Sequence, residues 1–254
     1  MDFTVKKYTE LLQALKDAGY KAITFEKFCK EKESLPEKFV ILRHDVDLKA
    51  PNSLTTAKIE NSMSMQASYY FRTVPQSNIP QVIQAIAGLG HEIGYHYEDM
   101  TICDGDAEKA IGHFAGQLEY FRTFYPVNTI CMHGSPRSKY DGRDLWKTYD
   151  YHNYGIIGEP YFDVDFNKIF YITDTGRRWD GAMFSVRDKV ETTFSQSYRT
   201  TGQIIEAIKD GTLPQHVMMT THPQRWNSGF FAWLKELLLQ NAKNVIKYFL
   251  IRKR

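Results

Sequence analysis

Ionisable side chains of this sequence gather at the ends of short apolar runs. His44, Asp45 and Asp47 follow Phe39-Val40-Ile41-Leu42 and Arg43; His96, Glu98 and Asp99 follow the run that starts at His91; His133 ends Thr-Ile-Cys-Met-His; His222 ends His-Val-Met-Met-Thr-Thr-His. Carboxylates and imidazoles bind borderline divalent metals and move protons near neutral pH. Two carboxylates spaced by two along a strand point the same way, so Asp45 and Asp47 can serve as a base and a metal ligand, or as two ligands of one metal. Three protein ligands leave a position for water, and the metal lowers that water's pKa toward about 7. A carboxylate can then take the proton and a histidine can protonate the leaving group. Metal-assisted hydrolysis of an amide or ester is the chemistry expected. The competing account is a helix cap, a loop salt bridge and hydrogen-bonded structural histidines. Four such strand ends in one chain weigh against it.

The elements that must carry these residues alternate. Strands are expected over 38–47, 67–74, 91–96, 129–133, 168–173 and 216–221, with a further one at Met183 to Val186. Helices are expected from Val5 to Gly19, Ser53 to Met63, Pro80 to Gly90, after Asp106, Gln203 to Lys209 and Phe230 to about Ile251. Alternating strands and helices make a parallel sheet, and ligands of such folds sit beyond the carboxyl ends of the strands. Residues 134–165 are aromatic and loop-rich and no element is assigned there.

The chain has 254 residues and no Pro/Gly/Ser-rich linker, so one domain over 1–254 is expected, with 1–37 as an N-terminal helical extension and 230–254 as a C-terminal amphipathic helix. The net charge of +2 gives no argument for a nucleic-acid partner. Three cysteines without close pairs (Cys29, Cys103, Cys131) argue against a disulfide framework or a thiolate zinc site. The N-terminus is charged and has no apolar core, and no run approaches the roughly 20 apolar residues of a spanning helix, so the expected compartment is the cytoplasm. The last helix joins an apolar face to Lys235, Lys243, Lys247, Arg252, Lys253 and Arg254. Packing on the sheet is the first expectation for it, and peripheral contact with an anionic membrane the second.

Three segments carry a family resemblance. Ile41-Leu42-Arg43-His44-Asp45-Val46-Asp47 resembles the first motif of the polysaccharide deacetylase superfamily, the NodB-homology or carbohydrate esterase family 4 group, where an apolar strand ends in Thr-Phe-Asp-Asp. Gly90-His91-Glu92-Ile93-Gly94-Tyr95-His96 resembles its Gly-His-Glu-Ile-Gly-Asn-His. Met219-Thr220-Thr221-His222-Pro223 resembles its last motif. The His-Asp-Val-Asp form is similar to a divergent branch associated with bacterial surface-polysaccharide clusters.

The resemblance implies a distorted (β/α) barrel, often of seven strands, and metal-dependent removal of an N- or O-acetyl group from a carbohydrate. It implies Asp45 as the base, His96 as a metal ligand and His222 as the catalytic acid, while the metal-ligand aspartate role passes from the position of Val46 to Asp47. The family's second metal histidine falls on Met100, whose thioether suits such an ion poorly. A third ligand must come from elsewhere: His133 first, Glu98 or Asp99 otherwise. His91, at the other end of its strand, reads as structural. The donor set fits Zn²⁺ first, with Mn²⁺, Co²⁺, Ni²⁺ or Fe²⁺ as alternatives. Gly134-Ser135-Pro136-Arg137 stands where the family has Arg-x-Pro-Tyr, so Arg137 is a substrate-binding candidate. In the pocket-wall-like segment Ile172 to Trp179, Trp179 can stack on a sugar and Arg177 or Arg178 can neutralise a carboxylate or phosphate. Two other readings stand beside deacetylation: a small-amide hydrolase similar to allantoinase, and a catalytically silent carbohydrate-binding protein.

Overall fold

The computed structural model describes residues 1–135, 138–180 and 190–252, with side chains up to residue 245 in the last helix. Arg137 and the strand expected at Met183 to Val186 therefore lie outside the described residues. The other expected strands all form, as β2 (Phe39–Val46), β3 (Ser68–Phe71), β4 (Glu92–Tyr97), β5 (Ile130–Met132), β6 (Phe170–Thr173) and β7 (His216–Thr221). A short β1 (Lys21–Ile23) joins them, and every pairing is parallel. The order is β5-β4-β3-β2-β7-β6, with β1 on β2. One edge of β2 is shared: β1 pairs with Phe39 to Ile41, and β3 with Arg43 to Val46. Among the described residues β5 and β6 do not pair, so the curled sheet is an open seven-stranded (β/α) barrel.

Helices pack around the sheet, most on its outer face, with Phe25 and Phe28 of the second helix against the inner one. They are α1 (Val5–Asp17), α2 (Phe25–Lys30), α3 (Ala50–Ser62), α4 (Pro80–Gly88), α5 (Asp99–Ile102), α6 (Ala107–Arg122), α7 (Pro160–Asp163), α8 (Thr201–Lys209) and α9 (Phe230–Arg252). Caps explain several starts: Thr4, Thr24, Asp106 and Thr200 each accept a backbone N–H from the first turn. The expected N-terminal extension is not an appendage. Its β1 extends the sheet, and Tyr8, Leu11, Leu12 and Leu15 of α1 are buried in the main core. The loop-rich 134–165 region holds 3₁₀ turns at Gly142–Lys147 and Tyr151–Tyr154, then α7.

Strand alternation sorts side chains onto two faces. Val40, Leu42 and Val46 pack with Tyr69, Phe71, Ile93, Tyr95 and the helices. Phe39 and Ile41 pack with Tyr70, Cys131 and Met218 in a second cluster, which lies on the inner face of the curl. Along β2 this second set continues as Arg43 and Asp45, along β4 as Gly94 and His96, along β5 toward His133 and along β7 toward His222. The chemistry-bearing residues thus continue the inner face just where its apolar filling stops, at the carboxyl ends of the strands. His44 has the other parity. Its ring stacks on Tyr69 with centroids 4.2 Å apart, and its nitrogens lie 2.6 Å from Glu60 Oε1 and 2.6 Å from Thr221 Oγ1.

Candidate functional site

Asp47 follows the last residue of β2 and is the centre of the cluster. Its Oδ1 lies 3.4 Å from His133 Nε2 and 3.6 Å from His96 Nε2, and its Oδ2 lies 3.8 Å from His222 Nε2. The backbone explains the convergence. In the sheet β4 lies between β3 and β5, and β7 flanks β2, so strand ends far apart in sequence reach one rim. His96 and Cys131 are register partners, which sets His96 beside the start of the His133 loop.

Hydrogen bonds behind the imidazoles choose which nitrogen faces inward. His96 Nδ1 lies 2.8 Å from the Cys131 carbonyl oxygen, and only a protonated nitrogen can donate there. His133 Nδ1 lies 2.9 Å from Glu98 Oε2. Both rings therefore present the Nε2 lone pair to Asp47, as histidine ligands of metals do when a carbonyl or carboxylate holds their other nitrogen. Glu98 is itself held by Arg72, with Nη2 at 2.6 Å and Nε at 2.8 Å from Oε1. Burial opposes its charge, but His133 and Arg72 outweigh that and bring its pKa down to about 2.

Asp47 Oδ1 is buried and has no hydrogen-bond partner. An unpaired buried carboxylate oxygen is costly, and here two imidazole lone pairs face it. Burial resists ionisation of Asp47, and positive charge at the site, which protonated His133, His96 and His222 supply when no cation is bound, holds its carboxyl well below the usual carboxylate range. A divalent cation would satisfy one anionic oxygen and two inward lone pairs at once. Asp47, His96 and His133 offer ligand atoms within 4.8 Å of one another and fit such an ion. A second group of donors, Asp45, His96 and Cys131, is wholly buried. It shares His96 with the first, and Arg43 already occupies Asp45.

Asp45 sits 3.9 Å from His96 Nε2 through its Oδ2. Arg43 grips it in a fork, with Nε 2.8 Å from Oδ1 and Nη2 2.7 Å from Oδ2. Burial pushes its pKa up, but the guanidinium more than offsets this, and Asp45 is held ionised. His222 Nδ1 lies 2.6 Å from Asp174 Oδ1, and Asp174 Oδ2 accepts the His222 amide at 3.0 Å and the Trp226 indole N–H at 2.9 Å. Arg225 also pairs with Asp174.

The structure brings together Asp45, Asp47, His96, His133 and His222 and leaves other expected residues outside. Glu98 stands behind His133, and Asp99 is buried against Tyr95 and His113, so neither faces Asp47. His91 is structural, taking the Ala67 amide at 3.1 Å and lying 3.0 Å from the Ala57 carbonyl oxygen. Trp179 is not a stacking surface. Its indole is buried among Phe3 and Trp226, and its N–H is donated to Thr201 Oγ1 at 2.9 Å, because the chain after β6 turns under α1 and α8. Arg177 is buried between the rings of Phe3 and Trp233, 5.3 and 5.4 Å from their centroids, and its Nε has no hydrogen-bond partner. It lines a cavity of about 650 Å³ with Arg178, Arg199 and α9 that contains none of the cluster residues. Sequence reasoning overlooked Arg43, Arg72 and Asp174 as partners. Asp174 was within reach, since it too follows the last residue of a strand, β6.

No protein-family model matches the chain, and no characterised relative matches it in sequence. Among solved structures it is similar to that of Bacillus subtilis PdaA, described as a family 4 carbohydrate esterase, at 13% sequence identity and a TM-score of 0.38 over 91% of this chain and 89% of that one. At that level the similarity carries no residue's role; those rest on the geometry above.

Proposed function

We propose that the chain is a metal-dependent hydrolase that removes an acetyl group from a carbohydrate, and that it is a divergent member of the polysaccharide deacetylase superfamily. The carrying observation is the buried, unpartnered Asp47 Oδ1 facing the Nε2 atoms of His96 and His133. A divalent ion held by these three residues, Zn²⁺ first by donor type, would polarise the acyl carbonyl and acidify water. Asp45, ionised beside His96, takes a proton from the attacking water. His222 gives a proton from Nε2 to the departing amine or alcohol, while Asp174 holds its Nδ1 side. Water thus adds across the acyl bond, yielding acetate and the free amino or hydroxyl sugar. The choice of a bacterial surface-polysaccharide precursor rests on the resemblance of the His-Asp-Val-Asp segment alone.

Acetate release from a panel of N- and O-acetylated saccharides tests the reading, with the protein loaded in turn with Zn²⁺, Mn²⁺, Co²⁺, Ni²⁺ and Fe²⁺. Release that depends on metal and is lost in both Asp45→Asn and Asp47→Asn supports it. Metal that fails to bind, or sugar binding without turnover under every metal, moves the assignment to a silent carbohydrate-binding protein.

A further inference from the structure

Helix α9 is built inside out. Its two fully buried residues among those described are polar: Glu236 and Gln240 are 6% and 4% exposed. Glu236 pairs with Lys49 at 2.8 Å, Trp233 donates its indole N–H to the Asp2 carbonyl at 2.6 Å, and Asn244 donates to the Gly176 carbonyl at 2.9 Å. Trp233, Glu236, Gln240 and Asn244 follow a spacing of three and four and form one stripe. The stripe on the solvent side is apolar. Phe231, Leu238 and Val245, spaced by seven, are 84%, 62% and 57% exposed, and Phe230 and Leu239 beside them are exposed too. A helix that uses its polar side to hold the fold and leaves Phe, Leu and Val in water is the reverse of a packed barrel helix.

Charge narrows the occupant. From Phe230 onward the sequence carries Lys235, Lys243, Lys247, Arg252, Lys253 and Arg254 against a single acid, Glu236, which Lys49 neutralises. Two copies packed through this stripe would set Lys235 and Lys243 against their own kind with no carboxylate between. Among the described residues no helix is long and apolar enough to cross a membrane. We propose that α9 lies in the surface of a bilayer containing anionic lipid, with Phe231, Leu238 and Val245 among the acyl chains and Lys235 and Lys243 at the headgroups. The cluster around Asp47 plays no part in this inference, which stands or falls apart from the hydrolase reading.

The test is co-sedimentation of the full chain with vesicles of phosphatidylcholine alone or mixed with phosphatidylglycerol. The chain should bind the mixed vesicles roughly tenfold or more tightly than the neutral ones, and lose that preference as salt screens it. The triple change Phe231→Ser, Leu238→Ser, Val245→Ser should abolish binding, and Lys235→Glu with Lys243→Glu should weaken it roughly tenfold. Both variants should keep a melting temperature close to wild type, since the altered side chains are all exposed. Equal binding to both vesicle types, no binding to either, or unchanged binding by the triple variant overturns the proposal. So does a dimer in solution that Leu238→Ser converts to a monomer, which would make a second copy the occupant.

Discussion

Asp174 Oδ1 lies 2.6 Å from His222 Nδ1, and the same carboxylate also holds the His222 amide, the Trp226 indole N–H and Arg225. With Nδ1 turned to Asp174, Nε2 is the atom that faces Asp47. Asp174→Asn can offer its amide NH₂ to the ring and favour the wrong tautomer. It should reduce kcat on the order of 10²-fold with little change in KM, and leave metal content at the wild-type level. Loss of metal together with activity would mean that Asp174 supports the fold of the site and not the proton transfer.

Asp174 also predicts an acid limb in stability. Burial raises its pKa, but Arg225 and His222 bring it down to about 2 from an ordinary 3.8. A depressed folded-state pKa contributes stability that is fully present above the unfolded value and is lost as pH falls through the folded one. The contribution is about 2 kcal/mol, at roughly 1.4 kcal/mol per unit. Urea midpoints should show wild type above Asp174→Asn at pH 5, with the gap closing by about that amount as pH is lowered toward 2. A gap that is constant with pH would show that the pair does not depress this carboxyl.

His133 and Glu98 make a separable pair. His133→Ala removes one of the three proposed ligands and should leave the purified protein without bound metal, as should His96→Ala. Glu98→Gln keeps an acceptor for His133 Nδ1 but not the charge, and should weaken metal affinity on the order of 10–100-fold while still binding. Elemental analysis and a competitive metal titration read both outcomes. Retention of metal by His133→Ala would return the third-ligand role to another residue.

Much of this site was legible because strand parity and strand ends are written locally. The run Phe39 to Leu42 shows where β2 is, and alternation then puts Asp45 and Asp47 on one side and His44 on the other. Arg43 was invisible as a partner of Asp45, since two residues apart on a strand says that they share a face and not that one grips the other. The Arg72–Glu98–His133 chain joins three strands, and only the sheet order brings them together. β1 is three residues long, too short for any period to show. Trp179 read as a pocket wall because its burial is decided by Phe3 and Trp226, remote in sequence. The inverted face of α9 was hidden for the same reason: the sequence displays an apolar stripe, and the inward side is fixed by Lys49, Asp2 and Gly176.

The Arg43–Asp45 pair is fully enclosed. Breaking a buried ion pair from one side strands the other charge, at a cost of about 3–5 kcal/mol. Arg43→Met should therefore destabilise strongly at pH 7 by urea denaturation. Arg43→Met with Asp45→Asn should recover most of the loss, because no charge is left buried alone. Additive losses in the double variant would show that packing of the arginine stem, and not its charge, carries the effect.

Two glycines should respond to alanine with opposite signs. Gly94, on the inner face of β4, lies under Tyr70: a Cβ there would come within 2.3 Å of the Tyr70 ring and 3.0 Å of the Thr129 carbonyl oxygen. The ring is buried and its hydroxyl is tied to Thr129 Oγ1 at 2.9 Å, so it cannot swing aside. Gly94→Ala should cost about 1–3 kcal/mol through overpacking next to His96, and should loosen metal binding with it. Gly112 sits inside α6 with nothing within 4 Å of its would-be Cβ. There alanine removes only the entropic cost of glycine in a helix, and Gly112→Ala should stabilise by about 0.5–1 kcal/mol. Thermal melts of the two variants side by side decide the matter, and a stable Gly94→Ala protein with full metal content would mean that Tyr70 does not fill the barrel beneath the site.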